Sequence, residues 1–238
     1  MKNMNLLKYL QAQGIASRKS CQWLIKNQLI EINGEIWDNE KAEIQPDNVQ
    51  TLVINGEDAV IIPLPYYYIL LNKPKDYETS HKPRDYPSVF TLFPEHLRAT
   101  DIQAIGRLDA DTTGVLLITN DGQFNHKMTS PKHKVAKIYR VTLKHAADHE
   151  LCNTLKTGVL LHDDNETIAA EHAELRDEHT LILTIVEGKY HQVKRMVAAA
   201  GNRVEALHRE RFGDWDTQDL EAGEWRFIQP DNSLTGKS

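Results

Sequence analysis

Apolar positions in the first sixty residues fall at helical spacing and then at strand spacing. Leu6, Leu7, Tyr9 and Leu10 form one stripe, which predicts a short helix over 4–13 ended at Gly14. Ser17 reads as the N-cap of a second helix over about 18–28, with Cys21, Trp23, Leu24 and Ile25 available for packing. IEINGEIW then alternates around Asn33-Gly34, the strongest short hairpin signal, and a further strand is expected at 49–54. Gly56, Pro63 and Pro65 mark the stretch after it as a linker.

From Tyr66 the pattern becomes strand-rich. YYYILLNK is a strand stopped by Pro74, and GVLLITN (114–120), AKIYRVTL (136–143) and 181–186 are further strands. Helices are expected over 146–156 and 190–200, the second closed by Gly201. Strands and helices interleave without a regular βαβ alternation, so the expected class is α+β with a mixed, mainly antiparallel sheet. The expected domains are residues 1–58, a linker at 59–65 and a larger body over 66–238.

Composition adds limits rather than a function. With 40% hydrophobic and 26% charged residues among 238, the chain has enough apolar surface for a packed core. Cys21 and Cys152 are too few and too far apart for a disulfide framework. The N-terminal residues lack a signal-like apolar run, and no stretch approaches a membrane span, so a cytoplasmic protein without membrane association is expected. The net charge of −6 argues globally against a nucleic-acid partner. Its distribution argues the other way. Residues 1–30 hold five Lys/Arg and no acid, and residues 122–147 hold six and no acid. Phosphate binding is decided over about a Debye length, so segregated basic stretches outweigh the sum.

The candidate chemistry lies in GRLDADTTG, residues 106–114, which feeds the strand VLLITN. An aspartate in a glycine-bounded loop before a buried strand is fixed yet open to substrate. Asp109-x-Asp111-x-Thr113 also fits a phosphatase nucleophile motif, but Gly106-Arg107-Leu108 is not the apolar strand that motif follows. A calcium loop would need an acid where Asn120 stands. A glycosidase carboxylate pair and a solvated turn capped by Asp and Thr also remain open. The histidines show no metal-ligand spacing, so no metal is expected.

GRLDADTTGVLLITNDG resembles the signature of the RsuA branch of the pseudouridine synthases. LNKPKDY (71–77), TSPKHKVAKIYRVTL (129–143) and EGKYHQVKRMVAAAGNRVEALHRERFG (187–213) resemble further elements of that family. The N-terminal segment with GIASRKSC resembles its S4 RNA-binding module. The resemblance implies isomerisation of a uridine without a cofactor. Asp109 would be the catalytic carboxylate, Tyr139 the active-site tyrosine and Lys194 the cation that holds Asp109 ionised, with Arg195 in reserve. The target base must be flipped out of its stack, and Arg107 is suited to fill the vacated place or to hold a phosphate. Arg18 and Lys19, at a helix start, suit backbone phosphates, and Lys73 and Arg195 complete the expected RNA-binding set.

HQVKRM and LHRERFG resemble the small-subunit enzymes of the branch. They imply a 16S ribosomal RNA substrate, free or in a small-subunit assembly intermediate, with uridine 516 as target and a monomeric enzyme. A large-subunit target or a non-catalytic ribosome assembly factor are the alternatives. Departures are Asp76 where the LNKP element has Gly, Asn5 and Leu7 in the first helix, and Gln22-Trp23 in place of a basic pair.

Overall fold

The computed structural model describes residues 2–161, 163 and 165–230. Two compact units emerge. One comprises the residues up to Tyr67 together with Phe90–Ile102, and the other comprises Tyr68–Val89 and the residues from Gln103 onward.

In the first unit, strand β1 (Met4–Asn5) leads into helix α1 (Leu6–Ala12), capped by the Asn5 side chain accepting from Lys8 N. Helix α2 (Arg18–Lys26) is capped by Ser17 as its sequence predicts. Strands β2 (Ile30–Ile32), β3 (Glu35–Ile36), β4 (Glu43–Ile44), β5 (Leu52–Ile54) and β6 (Glu57–Asp58) follow. A four-stranded sheet runs β3-β2-β5-β6, and β4 pairs with β1. Both hairpin turns are Asn-Gly with positive φ at each residue, Asn33-Gly34 and Asn55-Gly56. The second was expected to begin a linker. β5 before it is apolar, but β6 after it is only Glu57–Asp58, so its turn signal lacked an apolar frame on one side. Leu6, Leu10, Cys21, Ile25, Ile30 and Leu52 form the core.

Residues 59–65 also pack into this unit instead of bridging freely. Ile62 is 1% exposed, and its backbone exchanges two hydrogen bonds with the buried Gln13 amide, at 2.7 and 2.9 Å. The short helix α3 (Glu95–Arg98) belongs here as well.

The second unit is built on a sheet whose main path is β13-β14-β10-β15-β9-β7-β17. Its members in chain order are β7 (Tyr68–Lys73), β8 (Gln103–Ile105), β9 (Thr112–Thr119), β10 (Lys137–Leu143), β13 (His172–Asp177), β14 (Thr180–Ile185), β15 (Val204–Phe212), β16 (Trp215–Asp216) and β17 (Trp225–Ile228). A separate ribbon pairs β11 (Val159–Leu161) with β12 (Glu166–Ile168). Every pairing in the large sheet is antiparallel except β9 with β15, so the fold is α+β as expected.

One edge of β9 is paired along its length by β7. The other is divided between β15 at residues 112–114 and β8 at 117–119. Strands β7 and β9 are buried on both faces, which explains their unbroken apolar runs. Helix α4 (Gly122–Thr129) covers one face with Phe124 and Met128, against Tyr68, Leu70, Val115 and Phe212. Its N-cap is Asp121, which also accepts from the Tyr68 hydroxyl at 2.9 Å. The Asp-Gly that closes the signature is therefore structural. Helices α5 (His149–Thr157) and α6 (Gln192–Ala199) complete the unit. Among the described residues no helix is long and apolar enough to cross a membrane.

Candidate active site

The loop carrying Asp109 is held by its own backbone. Lys73, at the end of β7, is 0% exposed and donates to the carbonyls of Pro74, Ala110 and Thr112 at 2.9, 3.2 and 2.8 Å. Thr79 Oγ1 donates to Leu108 O at 2.8 Å and accepts from Leu108 N at 3.3 Å. Asp76 N donates to Ala110 O at 2.8 Å. Asp76 has φ 62°, a conformation that Gly adopts freely and Asp tolerates, which accounts for Asp at a glycine position.

Lys73 was expected to contact RNA. The structure corrects that: its ammonium is enclosed by carbonyls and serves as the post of the loop. Burial pulls its pKa down from 10.5 to about 8, against the opposing pull of Asp111, Asp109 and Asp76. Lys137 is likewise lowered to about 8 by burial and by Arg209.

These shifts give a stability prediction. The folded pKa lies below the unfolded one, so between about pH 8 and 10.5 the unfolded chain binds more protons and folding stability rises with pH. The cost of the two charges is present in full below pH 8. Tyr9 and Tyr67, raised to about 12 by burial, oppose the rise only above their ordinary value of 10. Urea midpoints should increase from pH 7.5 to 9.5, and Lys73→Met should remove roughly half of the increase. A flat profile in the parent protein would contradict the assignment.

Helix α6 and its N-cap His191 bring two side chains to the loop. Lys194 Nζ donates to Asp109 Oδ2 at 2.9 Å and to Asp111 at 2.7 and 3.0 Å. His191 Nε2 lies 3.1 Å from Asp109 Oδ1. Burial alone would lower the Lys194 pKa, but its bonds to the two aspartates raise it overall. For Asp111, burial pushes up and Lys194 pulls down harder, so the net shift is downward. The ammonium therefore stays charged between two carboxylates. Arg195, the next residue of the helix, turns away, donating to Tyr190 O at 3.2 Å and facing Asp163 at 3.5 Å.

Strands β10 and β15 supply the opposite wall. Tyr139 is buried and lines the same cavity as Arg107, Asp109 and Lys194. Beside it Arg209, 2% exposed, donates through Nε to Val115 O at 2.7 Å and through Nη1 to the Tyr139 hydroxyl at 3.4 Å. The Phe212 ring carries Arg209 and Lys137 at 4.9 and 5.0 Å. Four of the expected residues thus meet in one cavity. Arg18 and Lys19 lie exposed at the start of α2 in the other unit. His191 and Arg209 had been given no role, and Asp111 only in the phosphatase and calcium-loop readings, although all three sit inside the quoted motifs. Among the described residues no group of three or more His, Cys, Asp or Glu is arranged to hold a metal.

A carboxylate paired with an ammonium near a buried tyrosine is common to several chemistries, and comparison with known proteins decides among them. The family model described as RNA pseudouridylate synthase matches residues 67–199, more than half of the chain. The chain belongs to this family. It is a pseudouridine synthase, an isomerase acting on RNA. Ribosomal small subunit pseudouridine synthase A of Vibrio parahaemolyticus is 41% identical, covering 94% of this chain and 96% of that protein. The protein of the same name from Escherichia coli is 37% identical over 94% and 95%. A crystal structure of a pseudouridylate synthase superposes with a TM-score of 0.66 at 36% identity, covering 98% and 99% of the two chains. The phosphatase, calcium-loop and glycosidase readings of Asp109-x-Asp111 fall away. In this synthase both aspartates are engaged with Lys194.

Proposed function

We propose that this synthase converts one uridine of small-subunit (16S) ribosomal RNA, uridine 516, to pseudouridine, with Asp109 as the catalytic carboxylate. The observation that carries the assignment is the Asp109 carboxylate opening into a cavity walled by Tyr139, with the Lys194 ammonium 2.9 Å behind it. The small-subunit target is supported by the names of relatives that align over nearly their full length.

The reaction breaks N1–C1′, turns the uracil, joins C5 to C1′ and removes the C5 proton. Asp109 meets the sugar or the base. Lys194 stays paired with it as the bound nucleotide excludes water. Tyr139 offers its ring face to the uracil, and its hydroxyl, steadied by Arg209, is placed to assist proton removal. Arg107, exposed at the cavity mouth, fills the place of the flipped base. No cofactor takes part. The enzyme acts as a cytoplasmic monomer on free 16S RNA or on an assembly intermediate. Mapping pseudouridine in ribosomal RNA from cells lacking the gene tests the target. An unchanged small-subunit map refutes it.

The first unit we read as an S4-like RNA-binding module that places the substrate. Arg18 and Lys19 stand exposed on the first turn of α2, where backbone N–H groups add donors for phosphate. Arg18→Ala with Lys19→Ala should raise KM for ribosomal RNA and flatten its salt dependence by roughly two units of slope, one per phosphate contact. Tritium release at several salt concentrations measures both. A fall in kcat at unchanged KM would place the module in the chemistry instead.

A further inference from the structure

Asp109 borders two cavities. One is the pocket walled by Tyr139. The other lies on the far side of the loop, between residues 78–86 and the Tyr190–His191 pair, and no step of the reaction above uses it.

Its two walls are ordered in different ways. The segment 78–88 is folded around a single carboxylate: Glu78 accepts from the backbone N–H groups of Arg84, Asp85 and Tyr86 at 2.7–3.1 Å. Those bonds hold the Glu78 pKa below the usual carboxylate range. The Ser88 hydroxyl closes the loop by donating to Ser80 O at 2.6 Å. Glu78 is thus spent on the loop itself, and the loop turns Lys82, Arg84 and Tyr86 outward.

The facing wall is an aromatic platform. Tyr190 is 72% exposed, yet it is stacked on His191 with ring centroids 3.8 Å apart and planes 21° from parallel. His191 is itself anchored at Asp109. A tyrosine seeking burial would fold inward. This one shows one face to solvent while the other is fixed by a ring that touches the carboxylate. Arg107 stands between the two cavities and lines both.

A flat aromatic face rimmed by Lys82, Arg84 and Arg107 matches the surfaces that bind single-stranded nucleic acid: the base stacks and the cations track the backbone. We infer that this second cleft receives the nucleotide adjacent to the target uridine, with its base on Tyr190 and its phosphate toward Arg107. The inference rests on the reading of the chain as a synthase with Asp109 at its centre. The two cavities meet at Asp109, so a flipped uridine in one leaves its neighbour at the mouth of the other. Seating that neighbour would set the register of the strand and so help to choose which uridine enters.

The test is a double-mutant cycle on binding. The probe is a labelled fragment of small-subunit ribosomal RNA spanning the uridine that the enzyme converts, made intact and with an abasic residue on either side of that uridine. The parent protein should bind one abasic form about tenfold more weakly than the intact fragment. Tyr190→Ala should lose about the same factor on intact RNA and become indifferent to that abasic change. Tyr190→Phe, which keeps the ring, should behave as the parent does. Continued discrimination by Tyr190→Ala overturns the inference, as does a Tyr190→Phe defect equal to that of Tyr190→Ala. If the coupling is present but Asp109→Asn leaves turnover unchanged, the cleft stands and the catalytic assignment falls.

Discussion

Asp109→Asn should lower turnover by roughly a thousandfold or more, the scale expected when a carboxylate that must act on the reacting atoms becomes an amide. The side chains are nearly the same size, and the loop does not depend on the carboxylate for its shape. Lys73 holds the Ala110 and Thr112 carbonyls, Thr79 brackets Leu108, and the backbone of Asp76 holds Ala110 again. What the amide loses is its charge, and with it the ion pair to Lys194. Asp109 is about one-third exposed, so the stability change should stay within about 1 kcal/mol. The measurement is single-turnover tritium release from RNA labelled at uridine C5, with a urea midpoint on the same preparation. Turnover near that of the parent protein, with the fold intact, would remove Asp109 from the mechanism.

Gly114→Ala should be the most destabilising single methyl that can be added to the catalytic loop and its strand. Gly114 has φ +102°, and a Cβ there would stand 2.3 Å from the carbonyl oxygen of Arg209 and 2.9 Å from its carbon. Both are backbone atoms of the strand paired with β9 at that residue, so no flexible side chain can move aside. Overpacking costs about 1–3 kcal/mol and a forced positive φ a further 1–3. Together they give about 3 kcal/mol or more, or roughly 10 °C in Tm for a chain of this size. Gly106→Ala is the matched control. Its φ is also positive, at +67°, but the nearest atom lies 3.8 Å away on the Phe212 ring, so only the conformational cost of about 1 kcal/mol applies. Thermal scans of the two variants side by side decide the matter. Equal losses would mean that the close approach of β9 and β15 is not what constrains Gly114.

The parts of this molecule that the sequence made legible share a physical signature. Strands β7 and β9 are buried on both faces and appear as continuous apolar runs, while β10 alternates. Ser17 and Asn33-Gly34 act through local backbone geometry, which short-range pattern records faithfully. Asp109 stood out by its glycine-bounded loop before a buried strand, but Tyr139 and Lys194 were accessible only through motif resemblance, since nothing in their own neighbourhoods says that the three share a cavity. Strand β15 escaped notice because VEALHRERF is more than half polar; its partners on both sides supply what its composition lacks. The buried roles of Lys73 and Arg209 were hidden for a related reason. A buried cation is satisfied by carbonyls from distant residues, and no local pattern distinguishes it from a solvated one.

The seam between β9 and β15 also has a bearing on when the enzyme becomes active. Leu207 pairs with Thr112, a separation of 207 − 112 = 95 residues, and it is the parallel junction of the sheet. Closing so long a loop has an entropic cost that must be met before the contacts return anything. During synthesis the chain leaves the ribosome from its N-terminus, so Asp109, Tyr139 and Lys194 all emerge before the strand that closes the wall around them. Until Phe212 is out, Arg209 cannot steady Tyr139, and Gly114 lacks its neighbour on β15. A nascent chain can therefore carry the entire signature and still lack the wall that its chemistry needs.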